Sequence, residues 1–265
     1  MPSGINSFAG GGDRITRAIA QSAKRTGVDF DYLMGQARIE SGMNPNAKAP
    51  TSSATGLYQF ISQSWLAVVD QHGAQHGLDW ASNAIQRDSR GRYNVADPAT
   101  RRAILDLRKN PEAAAAMAGE FAADNRDYLE QRQGRQMAPV DLYLAHFLGA
   151  GGANKFLSAH ASDPDAAAAP LFGKAAGANR NIFYASNGRA RSFDEIRNRF
   201  AAKLGGDANL PLGGSNRPGG NDLPYVQPAD YLRLASAQRA APTGTDLNRN
   251  DNARMAYMLL ASMGA

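Results

Sequence analysis

The chain contains no cysteine among its 265 residues. Disulfides, thiolate metal centres and a cysteine nucleophile are therefore excluded. No apolar run approaches the roughly 18–20 residues a helix needs to cross a bilayer, so no transmembrane segment is expected. Residues 1–14 have neither the charged start nor the apolar stretch of a secretory signal. Alternating β-branched runs are scarce, which leaves room for little or no sheet. No internal repeat is evident. What remains is an ordinary globular composition, 43% hydrophobic, long enough for one domain with extensions or two small ones.

The charge is modest and uneven. The whole chain has 29 Lys+Arg against 24 Asp+Glu. Residues 205–265 hold five of each, so the excess of +5 lies in residues 1–204. Such an excess favours polyanions as a class, cell-wall polymer and nucleic acid among them. Arg180, Arg189, Arg191, Arg197 and Arg199 alternate with acidic residues and a capped helix. They read as a solvated face, and no nucleic-acid partner is expected.

Helical punctuation organises the chain. Residues 1–12 read as a flexible arm. Asp13 is placed to cap a helix running to about Lys24, and a second spans about Asp29 to Ser41, stopped by Gly42 and Pro45. Asp97-Pro98 and Asn110-Pro111 are cap-then-proline starts. The second opens an Ala-rich helix to about Glu130. Pro139 begins another, expected to end in the glycines of 149–152. Ser192 with Glu195 forms a capping box for a helix to about Leu204. Residues 205–229 are rich in Gly, Pro and Asn, as a linker is. Helical patterns follow at 228–239 and 249–263. The expected layout is an arm at 1–12, a helical domain at 13–204, and a linker with short helices at 205–265.

Chemistry concentrates between residues 38 and 60. On a helix turning about 100° per residue, Leu33, Ala37 and Glu40 fall on one stripe. Glu40 thus sits at the margin of an apolar face near a helix C-terminus, where burial and the dipole both disfavour a charged carboxylate. That setting suits a general acid. Alone, it equally describes a surface glutamate ending a helix.

The surrounding order of residues narrows the choice. Glu40-Ser41 is followed by Asn44-Pro45-Asn46-Ala47, then a polar loop, then Gly56-Leu57-Tyr58-Gln59. This succession resembles the catalytic signature of the family 1 lytic transglycosylases, the soluble-lytic-transglycosylase (SLT) domain. Ser53 stands for the family's first glycine and Tyr58 for its methionine, and the intervening loop is one residue longer than usual. The third family block, Ala-Tyr-Asn-Ala-Gly, is best matched by Ala145-His146-Phe147-Leu148-Gly149, with His146 in place of the tyrosine; Tyr143 lies one turn upstream. The resemblance spans about residues 13–160.

It implies a mainly α, lysozyme-like helical domain that acts on peptidoglycan in the periplasm, with no cofactor and no metal. Glu40 would be the catalytic acid/base. Ser41 would orient it, Gly56 would let backbone approach sugar, and Gln59 would contact an N-acetyl or hydroxyl group. Tyr58, Tyr143 and His146 would also line the substrate. The reaction implied is non-hydrolytic cleavage between N-acetylmuramic acid and N-acetylglucosamine, leaving a 1,6-anhydro end. The tail could dock to a flagellar or secretion-system component that needs local wall opening.

Two further readings come from the residues. A hydrolytic muramidase needs a second carboxylate, for which Glu120 and Asp124 are the candidates. A non-catalytic peptidoglycan-binding module would fit the altered third block, but it has no need of Glu40. His72 and His76 have the i, i+4 spacing of a zinc pair. They lack the intervening glutamate, and Gly73 and Gly77 weaken a helix there.

Overall fold

The structure is a computed structural model that describes residues 9–50 and 52–205. Among these residues the chain is mostly helical, as its composition and punctuation predict. The α-helices are α1 (Ala9–Thr26), α2 (Phe30–Ser41), α3 (Ser62–His72), α4 (Asp79–Ser82), α5 (Pro98–Asp106), α6 (Pro111–Gln133), α7 (Pro139–Ser162), α8 (Gly173–Ala178), α9 (Arg180–Phe183) and α10 (Phe193–Leu204). Short 3-10 turns cover Gly73–His76, Leu107–Lys109 and Ala169–Phe172. The one sheet among the described residues is an antiparallel pair, β1 (Gln86–Arg87) with β2 (Tyr93–Asn94). No helix described is long and apolar enough to cross a membrane.

The helix starts use the caps that the sequence displays. Asp29 accepts from Tyr32 N, Asp97 from Thr100 N and Asn110 from Ala113 N, each satisfying an amide the helix leaves unpaired. Ser192 and Glu195 form a reciprocal capping box. Two boundaries differ from expectation. Helix α1 opens at Ala9, four residues before Asp13. Helix α7 does break at Gly149, with φ 72° and ψ 158°, but resumes to Ser162. That backbone conformation is open essentially to glycine alone. Gly152 is buried within the resumed stretch, so packing outweighs its poor helix propensity there.

Helix α6 is the central post: α1, α3 and α7 all pack on it. Ser22 donates to the Ala115 carbonyl at 2.6 Å, which ties α1 to α6. Gly119 makes that approach possible, because a Cβ there would lie 2.2 Å from Ser22 Oγ. Helix α10 lies across α7 and α2. Phe200 from α10 meets Tyr143 and Phe147 of α7 edge to face, with ring centroids 5.3 and 4.9 Å away. Its last residue abuts α2, since a Cβ on Gly35 would lie 3.2 Å from the Leu204 carbonyl oxygen. Beneath, Trp65 is fully buried and donates its indole N–H to the Ile104 carbonyl at 2.7 Å. The linker and helical patterns expected beyond Gly205 lie outside the described residues.

Candidate active site

Helix α2 is buried over most of its circumference, with Tyr32, Leu33, Met34, Gly35, Gln36, Ala37 and Glu40 all inside. That is a wider face than the single stripe the sequence suggests. It carries two polar side chains into the interior, Gln36 and Glu40, and buried polar groups require partners. They share one. Gln36 and Glu40 are four residues apart and so face the same way. The imidazole of His146 sits between them, Nδ1 at 3.2 Å from Gln36 Nε2 and Nε2 at 3.1 Å from Glu40 Oε1. The Glu40 side chain is only 1% exposed, and His146 is the more open partner at 17%. Gly42, in the left-handed conformation, ends α2 two residues past Glu40, so the carboxylate occupies the last helical turn.

Three tyrosines cluster on this side. Burial, then the charge of Glu40, push the phenols of Tyr32 and Tyr143 well above their usual range. Burial, then Tyr32, does the same for Tyr58. All three phenols are therefore neutral. The Tyr143 ring lies 5.9 Å from that of His146, one helical turn away on α7. From α10 comes Lys203, whose pKa burial and Arg199 pull down while the charge of Glu40 pushes it back up.

The loop between α2 and α3 is built from the second sequence block. Ser41 Oγ lies 2.8 Å from the Leu57 carbonyl and 3.1 Å from that of Ala37, pinning the helix end to the loop. Gly56 has φ 85°, and a Cβ there would fall 1.9 Å from the Arg108 carbonyl oxygen. The close approach that glycine permits at this position is thus to Arg108. Gln59, itself at φ 49°, donates to the Gly56 and Ala47 carbonyls at 2.8 and 3.2 Å. Tyr58 is in the core, 2% exposed. Arg108 reaches in from the Leu107–Lys109 turn and donates to Ser53, Phe60 and Leu105 carbonyls. Burial pulls its pKa down to about 10, so it stays charged at neutral pH.

Of the residues singled out from the sequence, the fold brings Glu40, Tyr143 and His146 together. It uses Ser41, Gly56 and Gln59 to frame the loop and Tyr58 to fill the core. Sequence reasoning did not single out Gln36, although a polar residue one turn before Glu40 on an apolar helix is a legible signal. Arg108 and Lys203 carry no such signal, because their roles depend on where distant helices land.

Glu120 and Asp124 are elsewhere occupied. Glu120 Oε1 lies 2.9 Å from His76 Nε2, and Glu120 Oε2 lies 3.5 Å from His72 Nδ1. His72 Nε2 is 2.8 Å from Asp124 Oδ2. Glu120 is thus buried and paired rather than solvated. The α-helix gives way to a 3-10 turn at Gly73, so His72 and His76 are not consecutive turns of one helix. Among the described residues, no group of three or more histidine and carboxylate side chains is placed to hold a metal ion.

Residues 17–85 match the family model of the transglycosylase SLT domain. The match takes in α2, the loop after it and α3, and stops short of α6, α7 and α10. Over residues 17–85 the chain is thus similar to the transglycosylase SLT domain, and its mainly helical architecture is consistent with a lytic transglycosylase of the lysozyme-like superfamily.

Proposed function

We propose that the protein cleaves the β-1,4 bond between N-acetylmuramic acid and N-acetylglucosamine without net hydrolysis, with Glu40 as the single acid/base. The observation that carries this reading is the Glu40 carboxylate, buried at the end of α2 beside the loop that matches the SLT model. Ordinary glycosidases place two carboxyl groups about 5–9.5 Å apart across the scissile bond. Here the two other acidic candidates, Glu120 and Asp124, are bound to His72 and His76.

A single carboxyl group suffices when the sugar supplies the rest. Glu40 donates its proton to the glycosidic oxygen as the C1–O bond breaks and its electron pair leaves with that oxygen. The N-acetyl carbonyl of the muramic residue supports the cationic C1. The Glu40 carboxylate then takes the proton of the C6 hydroxyl, whose oxygen closes on C1. The product is a 1,6-anhydro end, the proton ledger is balanced, and no water is consumed. Tyr143, one helical turn from His146 on α7, is the group we assign to the substrate side. Acting on this polymer places the enzyme's work in the periplasm.

Mass spectrometry of fragments released from purified sacculi tests the reading. Anhydro ends are expected, and they should disappear with Glu40→Gln while the far-ultraviolet circular dichroism stays unchanged. Reducing ends from the wild type would make the enzyme a hydrolase. Equal release by wild type and variant would remove Glu40 from the chemistry.

A further inference from the structure

We propose that Gln36 and His146 dedicate one oxygen of Glu40 to accepting a hydrogen bond, so that the proton exchanged with substrate travels on the other. The inference rests on the function proposed above and adds two positioning residues to it. Neither needs to touch the sugar to do this work.

The geometry supplies the assignment. A neutral imidazole has one nitrogen that donates and one that accepts. Gln36 Nε2 is an amide donor, and it faces His146 Nδ1 at 3.2 Å. Nδ1 must therefore accept, which leaves the proton on Nε2. That proton points at Glu40 Oε1, 3.1 Å away. Oε1 then accepts in both protonation states of the glutamate: as the carbonyl oxygen of the acid, and as one end of the carboxylate. The acid's O–H is confined to Oε2. The same Oε2 gives its proton to the glycosidic oxygen and later takes one from the C6 hydroxyl.

The arrangement also stabilises the carboxylate left after the first transfer, because a hydrogen bond from a neutral donor strengthens when its acceptor becomes charged. The amide carries a cost that a purely structural residue would avoid: Gln36 Oε1 is buried without a partner. Leucine or methionine would fill the same space with no unsatisfied oxygen. A buried glutamine that leaves one end unpaired while the other faces an imidazole is accounted for if that imidazole's tautomer matters. The other titratable or charged groups around the pair are Tyr32 on α2, Tyr143 on α7, and Lys203 with Arg199 on α10. The two phenols are neutral.

The experiment reads the tautomer directly and the kinetics separately. Two-bond proton–nitrogen correlation spectra of the full-length, ¹⁵N-labelled protein report which ring nitrogen of His146 carries the proton, with the signals assigned by their loss in His146→Gln. The Nε2-protonated form is expected in the wild type. Gln36→Glu has nearly the same shape but replaces the donor by an acceptor, and should move the proton to Nδ1. On purified sacculi, Gln36→Glu and His146→Ala should lower kcat by about 100-fold, as misplacing a reacting group does, with KM little changed. His146→Gln, which still offers an N–H, should recover part of the loss. The alkaline limb of the kcat profile should shift in each.

An Nδ1-protonated ring in the wild type overturns the proposal. So does a kcat and pH profile unmoved by Gln36→Glu in a folded protein. If wild-type sacculi digests show no activity at all, the proposed function fails instead, and the spectra still decide the tautomer.

Discussion

Two carboxylate–histidine constellations sit within the helical body, and they differ in what they leave over. Around Glu120, both oxygens face imidazoles, and His72 carries its other nitrogen to Asp124. The groups come from α6, from the end of α3 and from the 3-10 turn after it, so the cluster stitches fixed elements together. Around Glu40, a single imidazole engages a single oxygen, and among the described residues Oε2 accepts no hydrogen bond. Burial alone therefore does not single out the proposed acid/base, since both glutamates are buried. The distinguishing property is the unused valence of the carboxylate, next to a loop that matches the SLT family.

The comparison can be broken most decisively by exchanging roles. Glu40→Gln should cost about 10³-fold in sacculus lysis, within the range expected for a lost general acid, and little stability. Glu120→Ala should do the reverse. Stripping the buried His76 imidazole of its acceptor, and removing the carboxylate that faces His72, should cost about 3 kcal/mol, seen as a melting temperature lower by about 6–12 °C, with the rate per folded molecule unchanged. A fall in rate without a fall in melting temperature would move the catalytic assignment to α6.

Smaller effects sharpen the contrast. Gly56→Ala puts a methyl into the Arg108 carbonyl and forces φ 85° on a residue with a side chain. A loss of about 2 kcal/mol is expected, by denaturant titration, together with weakened lysis, because this loop frames the Glu40 side alone. The smallest signal is spectroscopic. The phenols of Tyr32, Tyr58 and Tyr143 have raised pKa values, so their stabilising contribution is complete below about pH 10 and lost as pH climbs beyond it. Absorbance at the phenolate band should show these three titrating only as the protein unfolds. Ionisation of any of them in the folded state would mean that the Glu40 side is wetter than its geometry indicates.

Much of this fold is written locally. Asp29, Asp97, Asn110 and Ser192 announce their helices because a cap is satisfied by the next three residues. The break at Gly149 was legible as a stop, but the helix beyond it was not, since that stretch is helical through packing. For the site, Glu40 and its loop were readable because their residues adjoin one another. His146 was readable only as a departure from a family pattern. Its actual partners, Gln36 and Glu40, lie 110 and 106 residues away in the chain. Ser41, Gly56, Tyr58 and Gln59 show the complementary difficulty. A motif fixes which residue stands at a position but leaves open whether it faces ligand or backbone.

The seating of Leu204 against Gly35 has a practical consequence. The described chain ends beside the helix that bears Glu40, with Lys203 close enough to Glu40 to feel its charge. A fluorophore attached at Gly205 would therefore report on the surroundings of the proposed acid/base.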